Sequence, residues 1–241
     1  MKKLLLILLC LPILTLAQKT YVPDDNFEQA LINLGYDNVL DDSVITASIN
    51  TVTTLSIGLQ NISDLTGIED FTALDWLDCG YNNLTSLDVS NNTALIALYC
   101  PSNNLTSLDV SQNTALELLG CWENQLTSLD VSQNTFLSEL DCSNNQLTSL
   151  DVSQNIALTF LFCHYNQLTS LDVSANTALS RLQCQNNQLT SLDLRNGNNM
   201  NIYLGSSYYL NLTNNPQLYC IDVDDATYST ANWTVANGHI S

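Results

Sequence analysis

The chain has 241 residues, of which 24 are acidic, 5 are lysine or arginine and 2 are histidine, so its formal net charge at pH 7 is -19. This charge argues against direct binding to nucleic acid or to an anionic membrane, because both need clustered basic side chains. Two histidines also argue against a hydrolase or metalloenzyme built on histidine. Apolar residues make up 45% of the chain, which is too many for a disordered protein.

Residues 1–17 have the pattern of a secretory signal peptide. Lys2 precedes an apolar run at residues 4–16, and Ala17 completes a cleavage site of small residues. The run is too short to anchor the chain in a bilayer. We therefore expect a secreted or cell-envelope protein without membrane insertion. Cys10 raises the alternative of a lipoprotein, although the residue before it is larger than lipoprotein processing requires.

Residues 18–51 predict an N-terminal helical cap. Asp24 is suited to begin a helix and Gly35 to end it. The helix between them would be amphipathic, with an apolar face formed by Phe27, Ala30, Leu31 and Leu34. We expect this face to cover the open end of the core that follows.

A repeat of 21 residues dominates residues 74–199. Six units with the consensus LxxLxCxxN(N/Q)LTSLDVSxNTA begin at Leu74, Leu95, Leu116, Leu137, Leu158 and Leu179. Each unit has two similar halves, and in both halves the first, fourth and sixth positions are apolar. The alternation in L-x-C and L-D-V predicts two short parallel strands in each coil. Coils stacked about 4.8 Å apart would share one apolar core and form a mainly β repeat solenoid.

The segment LxxLxCxxNxL resembles the LxxLxLxxNxL core of leucine-rich repeats, with cysteine in one leucine position. The nested halves are similar to the bacterial 21-residue class called IRREKO. Residues 52–73 resemble an internalin-type first repeat, which implies a 3₁₀ or helical turn at residues 62–71 in place of a second strand. Residues 200–241 hold a degenerate repeat and are expected to form a C-terminal cap. The resemblance implies a solenoid used for recognition, usually of proteins.

The sixth position of every unit is a cysteine that points into the predicted core. These residues are Cys79, Cys100, Cys121, Cys142, Cys163 and Cys184. Parallel Cβ vectors disfavour disulfides along such a column, and a straight column does not converge on a zinc ion. We therefore expect free thiols that pack as small apolar groups. Cys220 is outside the period, and its partner is left open.

Polar columns accompany the apolar ones. Asparagines at the ninth and nineteenth positions are expected to hydrogen-bond the backbone of the turns. Aspartates at the fifteenth position predict an outward-facing ridge formed by Asp88, Asp109, Asp130, Asp151, Asp172 and Asp193. Neighbouring carboxylates about 4.8 Å apart would repel by roughly 0.9 kcal/mol at water-like dielectric. A solvated structural ridge is the simpler interpretation, and weak binding of calcium or of an ordered surface is the alternative.

Comparison of the six units with one another isolates the positions that vary. Positions 1, 4, 6, 9 and 11 to 15 are the same in every unit, whereas positions 2, 3, 5, 7 and 8 change freely. The varying positions alternate with the core residues of the first strand, so their side chains are expected to be exposed. The predicted ligand-binding residues are Trp76, Asp78, Tyr81, Tyr99, Trp122, Glu139, Phe160, Phe162, His164 and Tyr165. Random drift among duplicated units is the alternative explanation.

No catalytic residue, metal ligand or cofactor site is predicted. His164 follows Cys163 in the chain, but strand alternation directs the two side chains to opposite sides, so they cannot act as a nucleophile–base pair. Exposed aromatic residues are typical anchors of protein interfaces. We hypothesise a non-enzymatic module that binds a basic or neutral protein partner through the varying positions. A carbohydrate-binding module that uses the rings as stacking platforms is the alternative.

Overall fold

The computed structural model describes residues 17–198, Ile202 and residues 210–234. Apart from Ala17, the predicted signal peptide lies outside the described residues, and so does Cys10. Among the residues that are described, no helix is both long enough and apolar enough to cross a membrane.

Two strands and two helices precede the repeats. Strand β1 (Lys19–Tyr21) pairs in antiparallel fashion with β2 (Ser43–Ile45). Helix α1 (Asp25–Asn33) lies between these strands in the chain, and the short helix α2 (Thr46–Ile49) follows them.

Helix α1 begins and ends where the sequence predicts. The Asp24 carboxylate accepts hydrogen bonds from two N–H groups of the first turn, and Gly35 follows the helix with a φ of 83°. The predicted apolar face is buried except for Leu34, which is 47% exposed. Leu34 is the C-cap residue, so its side chain leaves the buried stripe. Glu28 is buried as well, because its carboxylate accepts hydrogen bonds from the N–H groups of residues 41–43.

The first half of each unit forms one strand of a continuous parallel sheet. Its strands are β3 (Thr54–Ser56), β4 (Trp76–Asp78), β5 (Ala97–Tyr99), β6 (Leu118–Gly120), β7 (Glu139–Asp141), β8 (Phe160–Phe162), β10 (Arg181–Gln183) and β12 (Leu210–Asn211). Over the described residues they are ordered as in the chain, each pairing with its neighbour. The middle residue of each three-residue strand is a buried leucine, so the residues on either side of it face away from the core.

The second half of a unit forms a strand only near the C-terminal end of the described solenoid. There, β9 (Ser170–Asp172), β11 (Ser191–Leu194) and β13 (Cys220–Val223) form a parallel sheet, and helix α3 (Ala226–Asn232) follows. The described residues of the earlier units have one isolated bridge, between Asp88 and Asp109. The prediction of a second strand in every coil therefore needs correction. In residues 52–73, a 3₁₀ turn (Ile68–Asp70) is present on the second side, as the resemblance implied.

Asparagine side chains connect the coils where this second ladder does not form. The side-chain amide of Asn113 donates to the carbonyl oxygens of Val89 and Asn92 in the preceding coil, both at 2.9 Å. The equivalent pair of bonds recurs at Asn134, Asn155 and Asn176. All of these asparagines are fully buried. The side chains thus supply inter-coil hydrogen bonds that the backbone lacks.

A second asparagine column holds the turn after the first strand. Asn124 donates to the carbonyl oxygens of Cys100 at 3.0 Å and Cys121 at 3.1 Å, and its own oxygen accepts from the N–H of Leu105 at 3.0 Å. Asn215 makes the same bonds beyond the sixth unit, which extends the column into the C-terminal segment. The predicted hydrogen bonds of asparagine side chains to the turn backbone are confirmed.

The core is one continuous cluster of leucine, valine and cysteine columns, which also includes Phe27 and Leu31 of helix α1 and Trp233 after helix α3. All six cysteines of the repeat are fully buried and unbridged, as predicted, and Cys220 is exposed and unbridged. Burial raises the pKa of the Cys184 thiol to about 12 and raises those of the other five. The column therefore consists of neutral thiols that pack as apolar groups.

Candidate functional site

The side of the first sheet that faces away from the core carries all ten predicted ligand-binding residues. We call the surface formed by positions 3, 5, 7 and 8 of the units the variable face. Strand register aligns these positions in rows, so that Asp78, Tyr99, Gly120, Asp141 and Phe162 lie side by side. The sequence order of the units is therefore also the spatial order of the surface.

An aromatic depression lies on the half of the variable face nearer the N-terminus. It is a cavity of about 340 Å³ whose lining includes Gly58, Asp78, Tyr81, Tyr99, Pro101 and Trp122. The ring centroids of Trp76 and Tyr99 are 5.3 Å apart, and those of Tyr99 and Trp122 are 6.4 Å apart with the rings edge to face. Both separations are typical of favourable aromatic pairs.

Gly120 gives the two rings their space. A Cβ atom at Gly120 would lie 2.5 Å from the Trp122 ring and 2.7 Å from the Tyr99 ring. The rings therefore pack directly over the backbone of this strand. Gly80 plays the same part for Pro101, since a Cβ there would lie 2.7 Å from the proline ring. At these positions of the variable face, small residues in one coil lie next to large side chains, so residues that differ between units still pack closely together.

The other half of the variable face combines carboxylates with a ring and a cation. Glu139, Phe160 and Arg181 are aligned across three neighbouring strands. The Arg181 guanidinium carbon lies 4.4 Å from the centre of the Phe160 ring. Burial and the nearby Asp141 raise the pKa of Glu139, while the charge of Arg181 opposes this shift. Burial also raises the pKa of Asp141, against hydrogen bonds from Ser143 that lower it.

His164 and Phe162 lie deeper in the surface than the sequence predicts. His164 is half-buried, packs edge to face with Tyr165 at 5.6 Å, and has its pKa lowered by burial. Phe162 is only 9% exposed, so its predicted exposure is wrong. It lies outside the apolar core cluster, because neighbouring strands in register cover it on the variable face. Cys163 between them is fully buried, as strand alternation requires.

The backbone of the variable face has one repeated irregularity. Position 8 of every unit has a left-handed conformation, with φ between 51° and 58°, at Tyr81, Ser102, Glu123, Asn144, Tyr165 and Asn186. Asparagine tolerates this conformation well, whereas other side chains cost roughly 1–2 kcal/mol there. Tyrosine and glutamate thus occupy positions for which asparagine is better suited.

Some members of the surface were not predicted as site residues. Pro101, Gly120 and Arg181 each shape it, and Asp141 is close enough to Glu139 to raise its pKa. A signal for the glycine was available in the sequence, since Gly120 stands at a varying position one unit after Tyr99 and two residues before Trp122. The contact of Arg181 with Phe160 depends on side-chain direction, which the repeat pattern does not contain.

The aspartate ridge lies on the second side of the coils, and its carboxylates have structural partners. Asp109 accepts a hydrogen bond from the N–H of Ser111 at 2.9 Å, and this bond lowers its pKa. The same turn recurs at Asp88, Asp130, Asp151 and Asp172, each with the serine two residues on. Asp193 instead bonds the N–H and the guanidinium of Arg195. In the described part of the chain, no cluster of three or more histidine, cysteine or acidic residues could hold a metal ion.

Comparison with known proteins gives one curated relative and several solved structures, and no family model matches the chain. Internalin J of Listeria monocytogenes serotype 4b (strain F2365) is 42% identical over 73 residues, which is 30% of this chain and 8% of that protein. The crystal structure of an internalin C2 from Listeria monocytogenes aligns with 89% of this chain and 93% of its own, with a TM-score of 0.73 and 19% identity. The chain has a leucine-rich-repeat fold.

A second leucine-rich-repeat structure supports the same assignment. A protein of Leptospira interrogans aligns with 80% of this chain and 50% of its own, with a TM-score of 0.59 and 24% identity. The resemblance of the sequence to bacterial leucine-rich-repeat proteins is thereby confirmed, and so is the solenoid. The matched segment spans only a small part of the length of Internalin J.

Proposed function

We propose that the chain is a secreted, non-enzymatic leucine-rich-repeat module that binds a protein partner through the variable face, outside the cell or at its envelope. One observation carries the proposal. Variation among the units is concentrated at positions that lie together on one side of the sheet, whereas the second side repeats the same Ser-Leu-Asp segment in every unit. A constant scaffold with one diverse surface is the usual arrangement of a repeat protein that recognises a ligand.

The side chains at position 8 support this assignment. Tyr81 is 51% exposed and Tyr165 is 53% exposed, and both have a backbone conformation that disfavours them. Asn144, Asn186 and Asn214 occupy the equivalent position with less strain. Exposed rings kept at strained positions are in keeping with a use in binding, because folding alone would favour asparagine.

The test is a binding screen with residues 18–241 against purified extracellular protein domains and envelope and dietary polysaccharides. A Trp76→Ala/Trp122→Ala variant would be screened beside it, because both rings pack on Tyr99 and Trp122 also lines the aromatic depression. Phe136→Ala is the matched control, since Phe136 is 65% exposed outside the variable face. We expect a protein ligand that is lost in the double variant and retained in the control.

Other outcomes of the screen would overturn the proposal in a defined way. A polysaccharide ligand lost in the double variant would make the chain a carbohydrate-binding module that uses the rings for stacking. Binding that is retained in the double variant but requires calcium would indicate that the ligand site is on the aspartate ridge. Equal losses in the double variant and in Phe136→Ala would remove the evidence for the variable face.

A further inference from the structure

We propose that the aromatic depression binds the cationic end of a lysine or arginine side chain of the protein partner. This inference rests on the proposed function, because it names the group that the variable face recognises. The depression is bordered by aromatic rings, contains a carboxylate and is of a size that suits one side chain. The depression would be one subsite of a larger interface, and the neighbouring coils would provide the other contacts.

The rings provide surfaces that attract a cation. Tyr81, Tyr99 and Trp122 line the depression, Tyr81 being 51% exposed and the other two half-buried. Trp76 is 39% exposed and packs against Tyr99 beside it. A cation within about 6 Å of an aromatic centroid is attracted to the face of the ring, most strongly for tryptophan. Trp122 and Tyr99 are fixed against the backbone of Gly120, so the surface they offer is formed before a ligand arrives.

The carboxylates around the rings add to this attraction. Asp78 lines the depression, and its Oδ1 accepts a hydrogen bond from the N–H of Gly80 at 3.0 Å, which fixes its position. Burial raises the pKa of the Tyr99 hydroxyl, and the charges of Glu139 and Asp78 raise it further. The phenol thus lies in a negative potential produced on both sides of it. No residue that lines the depression is basic, so this potential is not neutralised locally.

The same surface already shows this mode of recognition within the chain. Arg181 places its guanidinium over the Phe160 ring at 4.4 Å, and Glu139 is in register with Phe160 on the other side. The Phe160 ring contacts the guanidinium, and the charge of Arg181 also lowers the pKa of Glu139 against the effect of burial. The depression offers several rings and Asp78 in a similar combination. A neutral sugar would leave the negative charge of Asp78 uncompensated, which favours a cationic side chain over a glycan.

The experiment uses two short peptides as probes, acetyl-Gly-Gly-Lys-Gly-Gly-amide and the same peptide with norleucine in place of lysine. Norleucine keeps the aliphatic length and removes the charge. Binding would be followed by NMR through the indole N–H signals of Trp76 and Trp122, with the buried Trp233 as an internal reference. Asp78→Asn removes the carboxylate charge and keeps an oxygen that can accept from Gly80. Asp109→Asn removes the same charge from the aspartate ridge.

We expect saturable shifts with the lysine peptide in the millimolar range, and binding at least about five-fold weaker for the norleucine peptide. The preference should disappear in Asp78→Asn and persist in Asp109→Asn. Equal affinity for the two peptides, or no saturable shift with either, would overturn the inference. So would equal effects of the two aspartate substitutions, because these would indicate attraction by net charge alone.

The inference and the proposed function fail in different ways. A protein partner found in the screen could bind through the variable face and yet be indifferent to Asp78→Asn and to neutralisation of its own basic side chains. That result would refute the cation subsite and would leave the proposed function as a protein-interaction module unaffected. If the depression prefers the lysine peptide to the norleucine peptide but the screen finds no protein ligand, the cation subsite is supported and the proposed protein-binding function is not.

Discussion

At the scale of single residues, buried amides connect neighbouring coils. Each ninth-position asparagine satisfies two carbonyl groups and one N–H group that would otherwise be buried without partners, as Asn124 does for Cys100, Cys121 and Leu105. Because an unsatisfied buried polar group costs about 1–3 kcal/mol, these side chains are as important to the fold as the leucines.

Asn124→Ala should therefore lower the free energy of unfolding by about 2–4 kcal/mol. Urea unfolding followed by circular dichroism measures this loss. Gln112→Ala is the control, since Gln112 is exposed on the repeat surface and its replacement should change stability by less than about 0.5 kcal/mol. Similar effects of the two substitutions would contradict the proposed role of the asparagine column.

Charged residues on the two sides of the coil should respond to pH with opposite signs. Burial raises the pKa of Asp141, so the folded state holds this proton more tightly than the unfolded state. The stability that Asp141 contributes to the wild type therefore falls as the pH rises from its pKa in the unfolded state through its higher pKa in the folded state. Asp141→Asn should be more stable than wild type at pH 7, and the difference should vanish on acidification below both values.

Asp109→Asn should change the pH dependence of stability in the direction opposite to Asp141→Asn. Hydrogen bonds with Ser111 lower the pKa of Asp109, so its contribution is present above the unfolded pKa and is lost as pH falls through the folded one. We expect Asp109→Asn to be less stable than wild type at pH 7 and to approach it in acid. Thermal melts of both variants between neutral and acidic pH test this. Curves of the same sign would refute the conclusion that burial raises the pKa of Asp141 in the folded state.

At the scale of elements, one strand determines the shape of the aromatic depression. Strand β6 ends at Gly120, and the absent side chain is what lets Tyr99 and Trp122 meet above it. The sheet itself does not depend on this position, because the other five units carry aspartate, tyrosine, phenylalanine or glutamine there.

Gly120→Ala should therefore displace both rings while the solenoid remains folded. The tryptophan emission should shift to longer wavelength as Trp122 becomes more exposed, and binding at the depression should weaken. Circular dichroism should be unchanged. Ser128→Ala is a suitable control, because Ser128 is exposed in the same unit on the second side of the coil and does not contact the two rings. An unchanged emission spectrum in Gly120→Ala would show that the packing of the rings has been wrongly described.

At the scale of the whole molecule, a large negative charge acts on a regular stack. The whole chain has a net charge of -19, and the coils, about 4.8 Å apart, repeat a ridge carboxylate at each step. Such self-repulsion opposes folding, and salt screens it because the Debye length falls to about 3 Å at 1 M.

Sodium chloride should therefore raise the melting temperature by a few degrees between about 0.05 and about 0.5 M. A ridge variant with Asp109, Asp130 and Asp151 all replaced by asparagine should gain less from salt than wild type. A melting temperature that does not depend on salt would contradict this account of the repulsion. Calcium in place of sodium at matched ionic strength tests whether the ridge binds the ion specifically.

The periodic sequence predicts what repeats and misses what depends on neighbours. The columns of leucine, cysteine and asparagine could be located from the sequence, because the position of each residue in one unit is repeated in all six units. The second strand could not, since the segment Ser-Leu-Asp forms a strand at Ser170–Asp172 and not in the earlier units, where its local sequence is the same. Strand formation there depends on pairing with the adjacent coil, which a local pattern does not specify.

The candidate site was predictable as a surface and not as a set of contacts. Alternation places Tyr99 and Phe162 on the same side of the sheet, yet one is half-buried and the other almost fully covered. The difference comes from the residues at the same position in adjacent coils, where Tyr99 borders Gly120 and Phe162 borders two longer side chains. Ring packing of this kind follows from side-chain volume in three dimensions.

The central claim is that the variable face, and not the aspartate ridge, is the binding surface. The most direct measurement is the affinity of one captured protein partner for three forms of the chain. These are the wild type, the Trp76→Ala/Trp122→Ala variant and the ridge variant in which Asp109, Asp130 and Asp151 are asparagine. Replacement of the two rings should weaken binding at least about ten-fold, and the ridge variant should stay within about two-fold of wild type. The reverse order of the two effects would contradict the account.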